Sequence, residues 1–103
     1  MTIKKIEEKI CYINNELKIS KETKEKALEL LKTLQKNNEF FLFKHAPSSI
    51  ASGLIYTSCN LNEERHVLCE MEDASNVKQE TISRVSKKII KHLNLEVVKR
   101  RIN

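Results

Sequence analysis

The chain contains a single glycine, Gly53, and a single proline, Pro47, among its 103 residues. These two residue types supply many tight turns, and β-hairpins generally need several of them. The sequence therefore favours helices joined by short connections over a β-sheet. The length predicts one domain with one hydrophobic core.

Apolar residues recur at helical spacing from the start of the chain. The first such set is Ile3, Ile6, Ile10, Ile13 and Leu17. This set is typical of one face of an amphipathic helix. A second helix is predicted to begin after Ser20, a residue type that favours the N-cap position. We expect it to end near Asn37 and Asn38.

Residues 38–46 are then predicted to form a connection that contains Phe40, Phe41 and Phe43. Aromatic rings in a basic protein can stack on nucleic-acid bases. More often such rings hold a loop against the core, and we favour that interpretation here.

Pro47 predicts the start of a third helix, because proline suits the first helical turn. No charged residue falls between Ser48 and Leu61, so this helix is expected to be central and buried. Gly53 within it lowers helix stability by about 1 kcal/mol relative to alanine. A packing reason is therefore expected, namely the close approach of a neighbouring helix.

Residues 67–93 have the pattern of a helix-turn-helix unit. Asn76 occupies the turn, where a left-handed backbone favours glycine or asparagine. Small or apolar side chains occupy the inward-facing positions, namely Met71, Ser75, Val77, Ile82 and Val85. We predict two helices, at about residues 64–75 and 78–93, the second with a polar and basic outer face.

Charge is polarised along the chain. Residues 77–103 carry a net charge of +6, whereas residues 61–76 carry −4, within a total of +5 for the whole chain. A basic segment is the electrostatic signature of a protein that binds a polyanion. Lysines that simply solvate exposed helix faces are the competing interpretation.

The last predicted helix fits a DNA major groove, with its outward residues making the contacts. Gln and Arg can recognise base edges, hydroxyl groups can donate to phosphates, and lysines can bind the backbone. The candidate DNA-binding residues are Lys78, Gln79, Thr81, Ser83, Arg84, Lys87, Lys88 and Lys91. Glu80 and the acidic preceding helix oppose this interpretation. The alternative is a protein-binding module that recruits a transcription or cell-cycle partner without direct DNA readout.

Other classes of site lack the residues that they need. The three cysteines are widely spaced, which argues against a zinc site or a disulfide framework and suits a reducing compartment. The three histidines, His45, His66 and His92, are scattered, and one glycine cannot form a phosphate-binding loop. We therefore predict no enzyme, no catalytic residue, no metal and no cofactor. No apolar run reaches the length of a membrane span.

Three blocks of the chain resemble a known family. The first is I-x-x-I-x-x-x-L-x-I-S at residues 10–20, followed by Ala27 and Leu28. The second is the proline-initiated, small-residue helix at residues 47–59. The third is residues 77–88, in which Thr81 and Ile82 match V-x-x-x-T-I-R-x-R-Y-K. In this order they resemble one cyclin-like repeat of the general transcription initiation factor B family, which comprises eukaryotic TFIIB and archaeal TFB.

The resemblance implies an all-α, five-helix cyclin-like bundle that ends in a helix-turn-helix. The expected domain spans residues 1–96, with the helix-turn-helix at about 64–93 and a basic tail at 97–103. The implied function is that of a DNA-binding transcription factor acting on double-stranded promoter DNA, with TATA-binding protein and the RNA polymerase machinery as partners. The implied location is intracellular, in the cytoplasm of an archaeon or the nucleus of a eukaryote.

Overall fold

The computed structural model describes residues 2–93 and is helical throughout. The helices in this range are α1 (Thr2–Leu17), α2 (Lys21–Lys44), α3 (Pro47–Leu61), α4 (Leu68–Ser75) and α5 (Gln79–Leu93). Residues 2–93 contain no β-strand, which confirms the all-α fold class. The expected domain end at residue 96 and the basic tail at residues 97–103 lie outside the described residues. Among the helices described, none combines the length and the apolar character needed to cross a membrane.

Helix α3 forms the centre of the bundle and contacts each of the other four helices. Its buried residues are Ile50, Ala51, Ser52, Gly53, Leu54, Ile55, Thr57, Ser58 and Cys59. A helix surrounded on most sides cannot place charged groups in water. This explains why no charged residue occurs between Ser48 and Leu61, and it confirms the prediction of a central, buried helix.

The close approach predicted at Gly53 is confirmed. A Cβ atom built there would lie 2.7 Å from Cγ1 and 3.2 Å from Cβ of Val85 on α5. Both distances are shorter than ordinary carbon–carbon contacts. Glycine therefore lets the backbone of α3 pack directly against the apolar side of α5.

The predicted apolar face of α1 packs onto the core. Ile6, Ile10 and Ile13 are buried, and Ile3 and Leu17 are partly buried against them. Burial of large aliphatic side chains contributes about 1.5–3 kcal/mol for each residue, and so holds this amphipathic helix to the bundle.

The prediction that α2 ends near Asn37 and Asn38 is wrong, because the helix continues to Lys44. Phe41 and Leu42 lie two turns beyond Leu34, and all three side chains are buried. Asparagine costs less than about 1 kcal/mol inside a helix, and the burial of Phe41 and Leu42 outweighs that cost. The helix ends at Lys44, and both His45 and Ala46 are extended ahead of Pro47.

The phenylalanines predicted to hold a loop against the core therefore lie on a helix. Phe41 is 4% exposed and does pack onto the core. Phe43 is 61% exposed and does not. Two positions along a helix turn by about 200°, so Phe41 and Phe43 point to opposite sides of α2.

The predicted start of the fourth helix near residue 64 is also wrong, since α4 begins at Leu68. The Glu64 carboxylate turns instead to the start of α2. It accepts hydrogen bonds from the Ser20 N–H (3.1 Å), from Ser20 Oγ (2.7 Å) and from Thr23 Oγ1 (2.5 Å). Ser20 Oγ in turn accepts from the Thr23 N–H (3.2 Å), so the predicted N-cap of α2 is confirmed. Glu64 thus completes a cap on a helix that begins more than forty residues earlier in the chain.

Candidate nucleic-acid interface

The turn between α4 and α5 sets the direction of the last helix. Asn76 has φ 60° and ψ 30°, the left-handed conformation expected from the sequence. Its N–H donates to the Glu72 carbonyl oxygen (2.7 Å). The Val77 N–H donates to Ser75 Oγ (3.2 Å), and Ser75 Oγ donates to the Met71 carbonyl oxygen (2.6 Å). The N–H groups of Asn76 and Val77, which follow α4, are therefore paired within the turn itself.

The inner side of α5 is locked to the bundle. Its buried residues are Ile82, Val85, Ser86 and Ile89. Ser86 Oγ lies 2.7 Å from Thr57 Oγ1 of α3, and Thr57 donates its own proton to the Gly53 carbonyl oxygen (2.7 Å). A threonine hydroxyl has one proton, so Ser86 must be the donor to Thr57. This buried pair fixes the position of α5 along α3.

The outer side of α5 carries the candidate residues. The exposed ones are Lys78, Gln79, Arg84, Lys87, Lys88 and Lys91, while Thr81 and Ser83 are half-buried. Placing the apolar stripe of α5 against the bundle turns its basic residues to solvent.

Six of the eight candidate residues line one depression of about 640 Å³ on this side of the molecule. They are Gln79, Ser83, Arg84, Lys87, Lys88 and Lys91. Leu68, from the start of α4, and Glu80 complete its lining. The other two candidates are not part of the lining: Lys78 directly precedes α5, and Thr81 lies in its first turn. Four cations thus share the depression with one carboxylate, which favours an anionic ligand.

The end of α2 adds Lys44 and His45 to this side of the molecule, and neither residue was among the candidates predicted from the sequence. The Phe41 ring centroid lies 4.9 Å from that of His45 and 5.0 Å from that of His92 on α5. Partial burial, followed by the positive charges of Lys88, Lys44 and Arg84, lowers the pKa of His45 below 6.5. Lys44 and His45 are followed by Ala46 and then by the helix-starting Pro47. Only the packing of α2 against α5 brings them to the basic helix.

Acidic groups collect near the start of α4. His66 Nε2 lies 3.1 Å from Glu64 Oε2, and His66 Nδ1 lies 3.4 Å from Glu70 Oε1. Burial raises the pKa of Glu64, but hydrogen bonds from Thr23, Ser20 and His66 outweigh burial and lower that pKa to about 2. Glu64 is therefore ionised at neutral pH, and the carboxylates of Glu64 and Glu70 both lie close to the His66 imidazole.

Within the part of the chain that the structure describes, no group of three or more histidine, cysteine or acidic residues is arranged to hold a metal ion. Cys59 is buried, Cys11 is half-buried and Cys69 is exposed. Burial, with a smaller effect of the Glu64 charge, raises the pKa of Cys59 to about 12. Cys59 is thus a protonated, apolar packing residue of α3.

Comparison with protein families matches residues 1–92 to the model described as the transcription factor TFIIB repeat. The matched range covers nearly all of the five helices described above. A search of curated proteins finds no match to the chain.

Proposed function

This chain belongs to the transcription factor TFIIB repeat family, and from that membership we propose that it binds promoter DNA. In this proposal α4, Asn76 and α5 form a helix-turn-helix, and α5 is the helix that enters the major groove. The observation that carries the proposal is the arrangement of α5. Its apolar side is locked to α3, and its cations are exposed together around one depression.

The proposed contacts follow from side-chain chemistry. Arg84 and Gln79 can form paired hydrogen bonds with guanine and adenine edges. The hydroxyls of Thr81 and Ser83 suit phosphate oxygens at the rim of the groove. The lysines position the helix on the backbone without reading sequence, namely Lys78, Lys87, Lys88 and Lys91. The proposed domain spans residues 1–96, and residues 97–103 add three further cations.

The local balance of charge also supports the proposal. Residues 61–76 carry a net charge of −4. Two of their carboxylates have partners within the fold, because Glu64 caps α2 and Glu70 lies 3.4 Å from His66. Within the depression, Glu80 faces Arg84, Lys87 and two further lysines. Phosphates that approach α5 therefore meet a positive potential.

We expect TATA-binding protein and the RNA polymerase machinery to be the protein partners of the complex, as in initiation factors of this kind. The proposal assigns no catalysis to the chain. It implies an intracellular location, in the cytoplasm of an archaeon or the nucleus of a eukaryote.

The second candidate function is protein binding without DNA readout, and exposed apolar surface favours it. Phe43 is 61% exposed beside a depression of about 780 Å³ that is also lined by Ile3 and Pro47. A large exposed aromatic side chain is a typical anchor of a protein interface. This surface is formed by α1, α2 and the start of α3, so its use can be tested separately from α5.

A titration of fluorescently labelled promoter duplex tests the proposal. Fluorescence anisotropy is measured at two salt concentrations, with and without TATA-binding protein, for the wild type, R84A, K87A and the control K32A. Lys32 is exposed on α2 and lines neither depression. We expect K87A to reduce the slope of log affinity against log salt by about one unit. R84A should weaken the specific complex by about 1–3 kcal/mol, and K32A should bind like the wild type.

An affinity for the duplex that changes neither with salt concentration nor with either substitution in α5 would overturn the proposal. Capture of a protein partner that is lost in F43S, with no salt-dependent DNA complex, would establish the second candidate instead.

A further inference from the structure

We propose that the nucleic-acid surface of α5 continues onto the end of α2. Lys44 and His45 contact the same polyanion there, and His45 takes up a proton when the polyanion binds. The inference rests on the proposed DNA binding. It adds a second structural element to the interface and a dependence of affinity on pH.

The geometry around Phe41 places the end of α2 beside α5. Phe41 is 4% exposed, and its ring contacts both His45, which follows the last residue of α2, and His92 near the end of α5. The ring planes are tilted by 56° and 59°, so Phe41 makes a tilted aromatic contact with each of the two imidazoles. The contact of Phe41 with His92 joins the end of α2 to α5. His45 therefore lies near the cations of α5, and Lys88 and Arg84 act on it.

The groups that act on His45 come from both helices. Lys44 precedes it at the end of α2, while Lys88 and Arg84 act on it from α5, which also carries His92. The start of α3, which follows His45, contributes only Pro47, Ser48 and Ser49, none of which titrates. His45 is only partly buried, so a ligand on this surface can reach it. His45 is thus a titratable group within a cationic cluster that spans α2 and α5.

The free protein disfavours a positive charge on His45, because partial burial and three neighbouring cations lower the pKa of His45 below 6.5. Phosphates bound to Lys88 and Arg84 would cancel that repulsion and attract an imidazolium ion. The pKa of His45 must then be higher in the complex than in the free protein. Binding and protonation are reciprocal, so affinity rises as pH falls through the range in which His45 titrates. Each unit by which the pKa rises on binding corresponds to about a tenfold gain in affinity at low pH.

The experiment measures affinity for the labelled duplex between pH 5.5 and pH 8 at constant ionic strength. Wild type, H45Q and H92Q are compared, because both histidines contact Phe41 and glutamine does not titrate. We expect wild-type affinity to rise about three- to tenfold toward the acidic end. H45Q should bind DNA with most of that rise removed, and H92Q should keep it. K44A should reduce the salt slope by about one unit, whereas K36A, a control on the exposed surface of α2, should not.

A second measurement on the wild type avoids any effect of substitution on folding. The imidazole proton signals of His45 are followed by NMR through a pH titration with and without duplex DNA. A midpoint that moves to higher pH with DNA supports the proposal. A titration midpoint that does not rise with DNA overturns the proposal, and so does an equal pH dependence of affinity for wild type and H45Q. In either case the proposed DNA binding would still be supported if affinity depends on salt. The absence of any DNA complex across the pH range would overturn the proposed function as well.

Discussion

At position 53 the chain needs a residue without a side chain, because Val85 occupies the space that a Cβ atom would take. We predict that G53A destabilises the protein. Overpacking of a core typically costs about 1–3 kcal/mol, and the better helix propensity of alanine returns about 1 kcal/mol. The net loss in the free energy of unfolding should therefore reach at most about 2 kcal/mol, measured by urea denaturation.

The double variant G53A/V85A is the matched control for this prediction. Removing both Val85 methyl groups eliminates the atom that would lie 2.7 Å from the new Cβ. G53A should then cost less in the V85A background than in the wild type. A G53A substitution that costs as much in the V85A background as in the wild type would contradict the close packing of α3 on α5.

Asn76 and His45 differ in how far along the chain the causes of their behaviour lie. The left-handed conformation of Asn76 is a local backbone requirement, and the residue type alone predicted it. The environment of His45 depends on Lys88 and Arg84, which lie about forty residues further along the chain. No local pattern could have assigned His45 to the surface of α5.

Between elements, the buried pair of Thr57 and Ser86 joins α3 to α5. We predict that T57V destabilises the protein more than S86A does. T57V leaves the Ser86 hydroxyl buried without its partner, which costs about 1–3 kcal/mol. S86A removes only a donor, and Thr57 keeps its bond to the Gly53 carbonyl oxygen. Urea denaturation of both variants measures the difference.

The double variant T57V/S86A completes this thermodynamic cycle. Because it removes both polar groups, it should be more stable than the sum of the two single effects predicts. Strict additivity would mean that the two hydroxyls do not depend on each other.

In the molecule as a whole, Glu64 ties the connection before α4 to the start of α2, so its ionisation bears on the stability of the entire bundle. The pKa of Glu64 falls from 4.5 to about 2 in the folded protein. A lowered carboxyl pKa stabilises the folded state above the unfolded pKa, and that stabilisation disappears as pH falls through the folded pKa. We predict that E64Q loses about 1–3 kcal/mol at neutral pH.

The difference between E64Q and wild type should shrink between about pH 4.5 and pH 2. Thermal unfolding followed by circular dichroism across this range measures it. E25Q is the matched control, because Glu25 is an exposed carboxylate on α2, and this substitution should change stability by less than about 0.5 kcal/mol. A constant difference between E64Q and wild type at every pH would show that ionisation of Glu64 does not stabilise the fold.

Features that depend on neighbours three or four positions apart were open to prediction. The apolar face of α1, the Ser20 cap, the start of α3 at Pro47 and the segregation of charge on α5 are all of this kind. The family resemblance rested on such local blocks and their order, and the family match over residues 1–92 confirmed it.

What the sequence determined by itself is therefore the helical class, the turn at Asn76 and the two-sided character of α5. Only the tertiary structure decided that α2 runs on to Lys44, that Glu64 caps a distant helix and that His45 joins the cations of α5. The reason is physical. Backbone propensity and amphipathic spacing act within a few residues, whereas burial of Phe41 and the partners of Glu64 depend on which helices pack together.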